Sequence, residues 1–301
     1  MARMLGRVAP WLPSAKPDIR SAASGAALRI LRDEDTVALW DLAAADPVAN
    51  IFMLSHLESA RTAAPTSSGG RVVGVFDGGT LVGACWAGVN VVPIGLDADT
   101  GPEVGQYLAR SRNRFSSIFG PADAVLSLWS ELRSGSPQPF DVRPEQPLLQ
   151  MAAPSQVAPA PGLRPAHPNE LDVLLPACTA MFEEEVGYSP VANGDRHYRQ
   201  RVKGLIERRQ SLVDFDAAGR VVFKAELGTV SSQAAQVQGV WMNPEYRGQG
   251  LSAAYMSAVV GAALDVAPVV SLYVNAYNSA ARATYDAVGF EQVGTFATIL
   301  F

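Results

Sequence analysis

Two stretches in the carboxy-terminal part of the chain combine residue types and spacings that can hold an anion. The first is Arg247-Gly248-Gln249-Gly250-Leu251-Ser252, which follows the β-rich run Gln238–Met242 and the turn pair Asn243-Pro244, and precedes an apolar helical pattern. Glycines let backbone N–H groups approach a phosphate closely, and the helix N-terminus adds unsatisfied donors and a partial positive charge. The spacing does not make a Walker loop, because Lys-Ser/Thr is missing, and the dinucleotide fingerprint lacks its third glycine. A strand–helix turn that needs glycine for geometry alone is the plain alternative.

The second stretch runs from Leu272 to Phe290. A short strand meets a helix at Asn278, a good N-cap residue. Ala281 and Tyr285 lie four apart on one helical face, and Gly289 ends the helix as a C′ glycine does.

The elements that must carry these stretches can be read along the chain. Residues 1–26 mix Pro, Ser, Ala and basic residues and read as a loosely held leader. A strand at 27–31, helices at 33–44 and 46–59, a hairpin of 71–76 and 81–89, a helix at 102–110, a strand at 115–119, a helix at 121–132 and a strand at 147–152 form a first unit. Residues 153–161, Ala-Pro-Ser-Gln-Val-Ala-Pro-Ala-Pro, favour extended, unpacked chain and read as a linker. From 162 a second unit follows the same order, with helices at 169–186 and 195–209, a hairpin of 211–216 and 220–227, and a strand at 233–242. A helix at 250–264, a strand at 269–274, a helix at 279–288 and a final strand from Phe290 complete it. No sequence repeat accompanies this parallel order.

Composition narrows the function classes. A hydrophobic fraction of 48% with 18% charged residues describes a globular chain. A formal net charge of −5 gives no reason to expect a nucleic-acid partner. No apolar run reaches membrane-spanning length, and the amino-terminal segment is too broken by proline for a signal peptide. A cytoplasmic protein with no membrane partner is the expectation. Cys85 and Cys178 are far apart in apolar surroundings, and the histidines are scattered, so no metal site is expected.

The two chemistry-bearing stretches together resemble motifs A and B of the GNAT superfamily of acetyl-CoA-dependent N-acetyltransferases. Motif A, Q/R-x-x-G-x-G/A, is similar to Arg247–Ser252, with Ser252 in place of the last Gly/Ala. Motif B, N-x-x-A-x-x-x-Y-x-x-x-G-F, is filled by Asn278, Ala281, Tyr285, Gly289 and Phe290. The resemblance covers residues 162–301 and implies an α+β fold of two tandem GNAT-like domains, each a mixed, mostly antiparallel sheet flanked by helices. It further implies acetyl-CoA as co-substrate and a primary amine as acceptor, on a small molecule or on a protein, with acetyl passing directly in a ternary complex.

Carried over residue by residue, the resemblance implies that backbone N–H groups of Arg247, Gly248, Gln249, Gly250, Leu251 and Ser252 hold the CoA pyrophosphate. Val240, Trp241 and Met242 would pair with pantetheine and offer an N–H to the thioester carbonyl. Asn278 would contact pantetheine, and Tyr285 would protonate the departing thiolate. Some family members place a glutamate base where this chain has Gln236. Glu226 on the preceding strand is the nearest replacement, with Glu183, Glu184 and Glu185 or an ordered water as alternatives.

The first unit, residues 27–152, has the same element order but not the motif. Where its phosphate loop would fall, Asp97 and Asp99 would repel a pyrophosphate. It therefore reads as a degenerate GNAT-like domain that shapes the acceptor channel and helps complete a carboxy-terminal sheet that looks one strand short. A monomer or homodimer is expected. A non-catalytic acyl-CoA-binding regulatory protein with the same fold is the rival reading.

Overall fold

The computed structural model describes residues 19–20, 27–111, 114–192 and 194–301. The expected leader lies outside the described residues, apart from Ile19–Arg20. The amino half runs β1 (Ile19–Arg20), β2 (Ala27–Ile30), α1 (Thr36–Ala44), α2 (Ile51–Ala60), β3 (Arg71–Asp77), β4 (Thr80–Ala87), β5 (Asn90–Ile94), α3 (Gly101–Ala109), β6 (Ser117–Pro121), α4 (Ala122–Leu132) and β7 (Asp141–Met151). The carboxy half repeats the order with β8 (Arg164–Pro165), α5 (Leu171–Val186), α6 (Arg196–Glu207), β9 (Ser211–Phe215), β10 (Val221–Val230), β11 (Ala235–Met242), α7 (Ser252–Leu264), β12 (Val270–Tyr273), α8 (Ser279–Val288) and β13 (Glu291–Leu300). Among the described residues, no helix is long and apolar enough to cross a membrane.

The two halves share one sheet of 13 strands, in the order β1-β2-β3-β4-β5-β6-β13-β7-β12-β11-β10-β9-β8. The last strand of each half has changed sides. β7, made by the amino half, pairs with β12 of the carboxy half, with Leu149 opposite Leu272. β13, made by the carboxy half, pairs with β6 of the amino half, with Ile299 opposite Ile118. The two exchanged strands also pair with each other, from Glu291 opposite Gln150 to Leu300 opposite Asp141. The sheet that looked one strand short is completed in this way.

Packing follows the exchange. Leu149 and Met151 of β7 are buried in the carboxy-half core with Leu272, Tyr285 and Val288. Ala297 and Ile299 of β13 are buried in the amino-half core with Val104, Leu108, Val125 and Leu128. Burial of each large apolar side chain contributes about 1.5–3 kcal/mol, so each half depends on the other for part of its core.

Three sequence expectations need correction. The apolar run 81–89 hides a turn: β4 ends at Ala87, and Gly88 N–H bonds to the Asn90 carbonyl to start the separate strand β5. β7 begins at Asp141, earlier than its proline-rich sequence suggested, because Pro144 and Pro147 are tolerated in the strand while the residues between and beyond them pair with β13. The linker is extended but not unpacked. Ser155 Oγ donates to the Val288 carbonyl at 2.6 Å, Ser257 Oγ to the Val157 carbonyl at 2.6 Å, and Ala160 N to the Ala254 carbonyl at 2.9 Å, so the segment lies strapped across α7 and α8.

Candidate functional site

β11 and β12 run parallel, and they pair only where Ala235 meets Val270 and Gln236 meets Ser271. Beyond that point they diverge. β12 stays with β7, and the pairing continues past its end through Val274 N to the Pro147 carbonyl and Ala276 N to the Glu145 carbonyl. The resulting wedge opens into a cavity of about 490 Å³ lined by Val240, Trp241, Asn275, Asn278 and Tyr285 on one side and by Phe182, Glu185, Tyr198, Arg201 and Glu226 on the other.

A bulge shapes the β11 wall. On β10, Lys224 lies opposite Trp241 and Glu226 opposite Gln238, so Ala225 alone faces Gly239 and Val240. Gly239 takes a φ of +57°. A Cβ there would come within 3.2 Å of both Glu226 Cδ and Lys224 Nζ, so glycine is what allows the strand to approach this pair.

At the end of β11 the chain enters the glycine turn. Gly248 and Gly250 have φ of +73° and +74°, and a Cβ at either would meet only open space. Among the described residues, the N–H groups of Gly248, Gln249 and Gly250 have no protein acceptor, and α7 starts directly afterwards at Ser252. The Arg247 side chain is committed elsewhere. Its Nε donates to the Met242 carbonyl at 2.8 Å and its Nη2 to both Glu184 oxygens at 3.0 and 2.8 Å. Glu184 also accepts from Trp241 Nε1 at 3.1 Å. The expected anion loop is thus open at its backbone and anchored by its arginine. This cradle fits the pyrophosphate of acetyl-CoA, whose charge would meet donors with no other partner.

Asn278 caps α8 through its side-chain oxygen, which accepts from Ala281 N at 3.1 Å. Asn278 also lines the cavity. Tyr285, two turns further along, is buried at 7% exposure in the cavity wall and packs edge-to-face with Phe290 at 5.8 Å. Burial, reinforced by the Glu185 charge, pushes its phenol up to about 12, so it remains protonated at neutral pH.

The floor of the cavity holds a group that the sequence only half revealed. Lys224 and Glu226, at 0% and 1% exposure, form an ion pair with Nζ 2.5 Å from Oε1. Arg201 Nη2 donates to the other oxygen of Glu226 at 2.9 Å. Burial pushes the Glu226 carboxyl up, but the Lys224 and Arg201 cations outweigh it and hold the group at about 2. A carboxylate so stabilised is a weak proton acceptor, which counts against Glu226 as the base expected from the sequence. The sequence signal for Lys224 is its spacing, since a charged pair two residues apart inside the apolar run Val221–Leu227 places both side chains on one face of a strand.

Glu185 differs from Glu226. It lines the cavity with its side chain 52% exposed, and partial desolvation in the cleft raises its carboxyl, an effect partly offset by the Arg143 and Lys224 charges. Arg143 comes from β7, the exchanged strand. Its Nη2 donates to the Glu185 carbonyl at 2.7 Å, its Nη1 lies 3.8 Å from the Glu185 carboxylate, and its Nε bonds Asp141 at 2.7 Å. Gln146 of the same strand donates to Asn275 Oδ1 at 2.9 Å and accepts from Thr298 Oγ1 at 2.6 Å. Nothing local in the sequence marks Arg143 or Gln146, because their place depends on the strand exchange.

The corresponding strands of the amino half pair over an equally short stretch. β5 and β6 pair only at Asn90 opposite Ser117 and Val91 opposite Ile118. Beyond it the Pro93 ring packs on Gly120, 3.2 Å from where a Cβ on that glycine would stand. At the start of α3, Asp97 Oδ1 accepts from Asp99 N, Thr100 N and Thr100 Oγ1 at 3.0, 2.9 and 2.7 Å. The chain's own carboxylate thus occupies the donors a phosphate would use. Those bonds, led by the Thr100 N–H, hold Asp97 below the usual carboxylate range.

Comparison with known proteins agrees with this asymmetry. Residues 180–290 match the acetyltransferase (GNAT) family, and residues 70–174 match a domain of unknown function, DUF4081. No curated protein matches the chain in sequence. Among solved structures, a GNAT-family acetyltransferase from Colwellia psychrerythraea aligns over 91% of this chain and 99% of its own, at 13% identity and a TM-score of 0.54. An N-acetyltransferase from Sphaerobacter thermophilus aligns over 91% and 94%, at 16% identity and a TM-score of 0.57. A Drosophila protein aligns over 91% and 98%, at 14% identity and a TM-score of 0.59. At these identities the likeness is one of fold, and it spans both halves.

Proposed function

We propose, from the match of residues 180–290 to the acetyltransferase (GNAT) family, that the protein is an acetyl-CoA-dependent N-acetyltransferase acting on a primary amine through its carboxy-half cleft. The observation that carries this reading is the open glycine turn at 248–250, whose N–H groups meet no acceptor among the described residues and which follows the strand whose Val240 and Trp241 line a cleft with Tyr285. The thioester of acetyl-CoA supplies the acyl group. Gly248, Gln249 and Gly250 hold the pyrophosphate, with Arg247, Leu251 and Ser252 framing the turn. Val240, Trp241 and Met242, on the β11 edge left without a strand partner, align the pantetheine arm and polarise the carbonyl. Asn278 contacts that arm from the other side.

The acceptor nitrogen attacks the thioester carbon and releases a proton to Glu185, directly or through an ordered water. The departing sulfur takes the phenolic proton of Tyr285. Glu226 serves as the fixed counter-charge of Lys224 and Arg201 rather than as the base.

The rival reading, an acyl-CoA-binding regulator without turnover, is favoured by the commitment of Glu226 to two cations and by Gln236 in the position of the familial glutamate. Calorimetry with acetyl-CoA, wild type against Gly250→Trp, combined with thiol release in the presence of an amine panel, separates the readings. One site per chain, lost in the variant, with thiol release that depends on an amine supports the enzyme. Binding without release under every amine supports the regulator, and no binding at all defeats both.

A further inference from the structure

Arg201 projects from α6 into the acceptor side of the cavity with its side chain 42% exposed. Only one of its nitrogens is used by the chain, Nη2 on Glu226. Among the described residues, no other acceptor meets its remaining N–H groups. Glu226 in turn is closed off from solvent and shared with Lys224. The cluster therefore sets two cations against one carboxylate, and Cys178, whose thiol is raised by burial, adds no charge.

The other acids lining the cavity are engaged. Glu184 is held by Arg247 and Trp241, and Glu185 by Arg143. The anion that would complete Arg201 must then come from a ligand. A guanidinium fixed at one corner by a buried carboxylate has already lost much of its side-chain freedom, and its remaining donors suit the two oxygens of a carboxylate. The same cavity wall carries two aromatic side chains, Phe182 and Tyr198, with 5.7 Å between their ring centroids.

Building on the acetyltransferase reading above, we infer that the acceptor is a primary amine that carries its own carboxylate, an amino acid or small peptide, with Arg201 as the residue that reads that carboxylate. The amine then lies toward Glu185, and the body of the molecule lies along Phe182 and Tyr198. A polyamine, or a lysine within a protein chain, has no group to complete Arg201.

The test uses the full chain, as wild type, Arg201→Lys and Arg201→Gln, with thiol release measured for free amino acids, their carboxamides and the corresponding decarboxylated amines. Wild type should favour each carboxylate over its carboxamide by about 10- to 100-fold in kcat/KM, the range of a charge-assisted pair. In Arg201→Gln that ratio should fall to near one through KM, while acetyl-CoA affinity by calorimetry stays unchanged. Arg201→Lys keeps a cation against Glu226, so it protects the fold while losing most of the discrimination. Equal use of carboxylates and carboxamides by the wild type, or a preference that survives in both variants, overturns the assignment while leaving the acetyltransferase intact. Acetyl-CoA binding with no transfer to any amine overturns both.

Discussion

Gln146 donates its side-chain amide to Asn275 Oδ1 at 2.9 Å, joining a strand built by the amino half to the loop that opens α8 in the carboxy half. The contact exists because β7 crossed over, and with it came Arg143 against Glu185, which lines the same cavity. The carboxy half therefore does not own its site. Expressed alone, residues 162–301 should be insoluble or fail to bind acetyl-CoA, whereas co-expression with residues 1–161 should restore binding. A well-folded, acetyl-CoA-binding 162–301 fragment, judged by circular dichroism and calorimetry, would refute the interdependence.

Tyr285→Phe removes a proton donor and little else, since the ring remains packed on Phe290. We expect acetyl-CoA affinity to hold while kcat drops about 100-fold or more, the usual scale for a lost general acid. Comparable kcat in the variant would assign proton delivery to solvent.

The pH profile should have one limb. Glu185 must be ionised to accept a proton, and partial desolvation in the cleft raises its pKa, so the rate should climb as pH rises through that raised value. Tyr285, held at about 12, keeps its proton across the working range, so no alkaline decline from it should appear below about pH 10. Arg143→Met withdraws a cation that lowers the Glu185 pKa and should move the limb to higher pH; a limb that stays put would remove Glu185 from the role.

The Lys224–Glu226 pair makes a prediction about stability. Glu226→Gln leaves a buried ammonium with a neutral neighbour and should cost about 3–5 kcal/mol, whereas Lys224→Met with Glu226→Leu should recover much of the loss. Because the folded carboxyl is depressed to about 2, its contribution is complete above the unfolded pKa and is lost as pH falls from about 5 toward 2. Urea midpoints across that range should fall more steeply in wild type than in the double variant.

Asp97→Asn weakens the carboxylate that holds the turn leading into α3 and should cost about 1 kcal/mol. It should not create a second acetyl-CoA site, because the loop still lacks the spacing of Arg247–Ser252 and keeps Asp99. A stoichiometry of two per chain by calorimetry would contradict this.

What could be read from the sequence followed the range of the interactions. The glycine turn at 248–250 and the capped helix from Asn278 through Tyr285 are local, and their residue types state their geometry. The order of elements was legible for the same reason, apart from the Gly88-Val89 turn, which its apolar neighbours disguised as the middle of one long strand. The partners of Glu226 depend on α6 packing against β10, and those of Glu185 on a strand delivered from the other half. Neither relationship leaves a local trace. Arg143 looked like one more charge in a proline-rich stretch, and it is 8% exposed against the cavity wall.

The crossing of β7 and β13 also sets an order of events during synthesis. The outer edge of β6 is covered only when β13 arrives, and β13 follows every other element of the sheet in the chain. Until then the amino half carries a bare strand edge and a core missing Ala297 and Ile299. It cannot settle first and wait as a finished unit while the rest emerges from the ribosome. Maturation becomes a single late closure, and the nascent amino half is the stage most exposed to chaperones and to mispairing with a second copy.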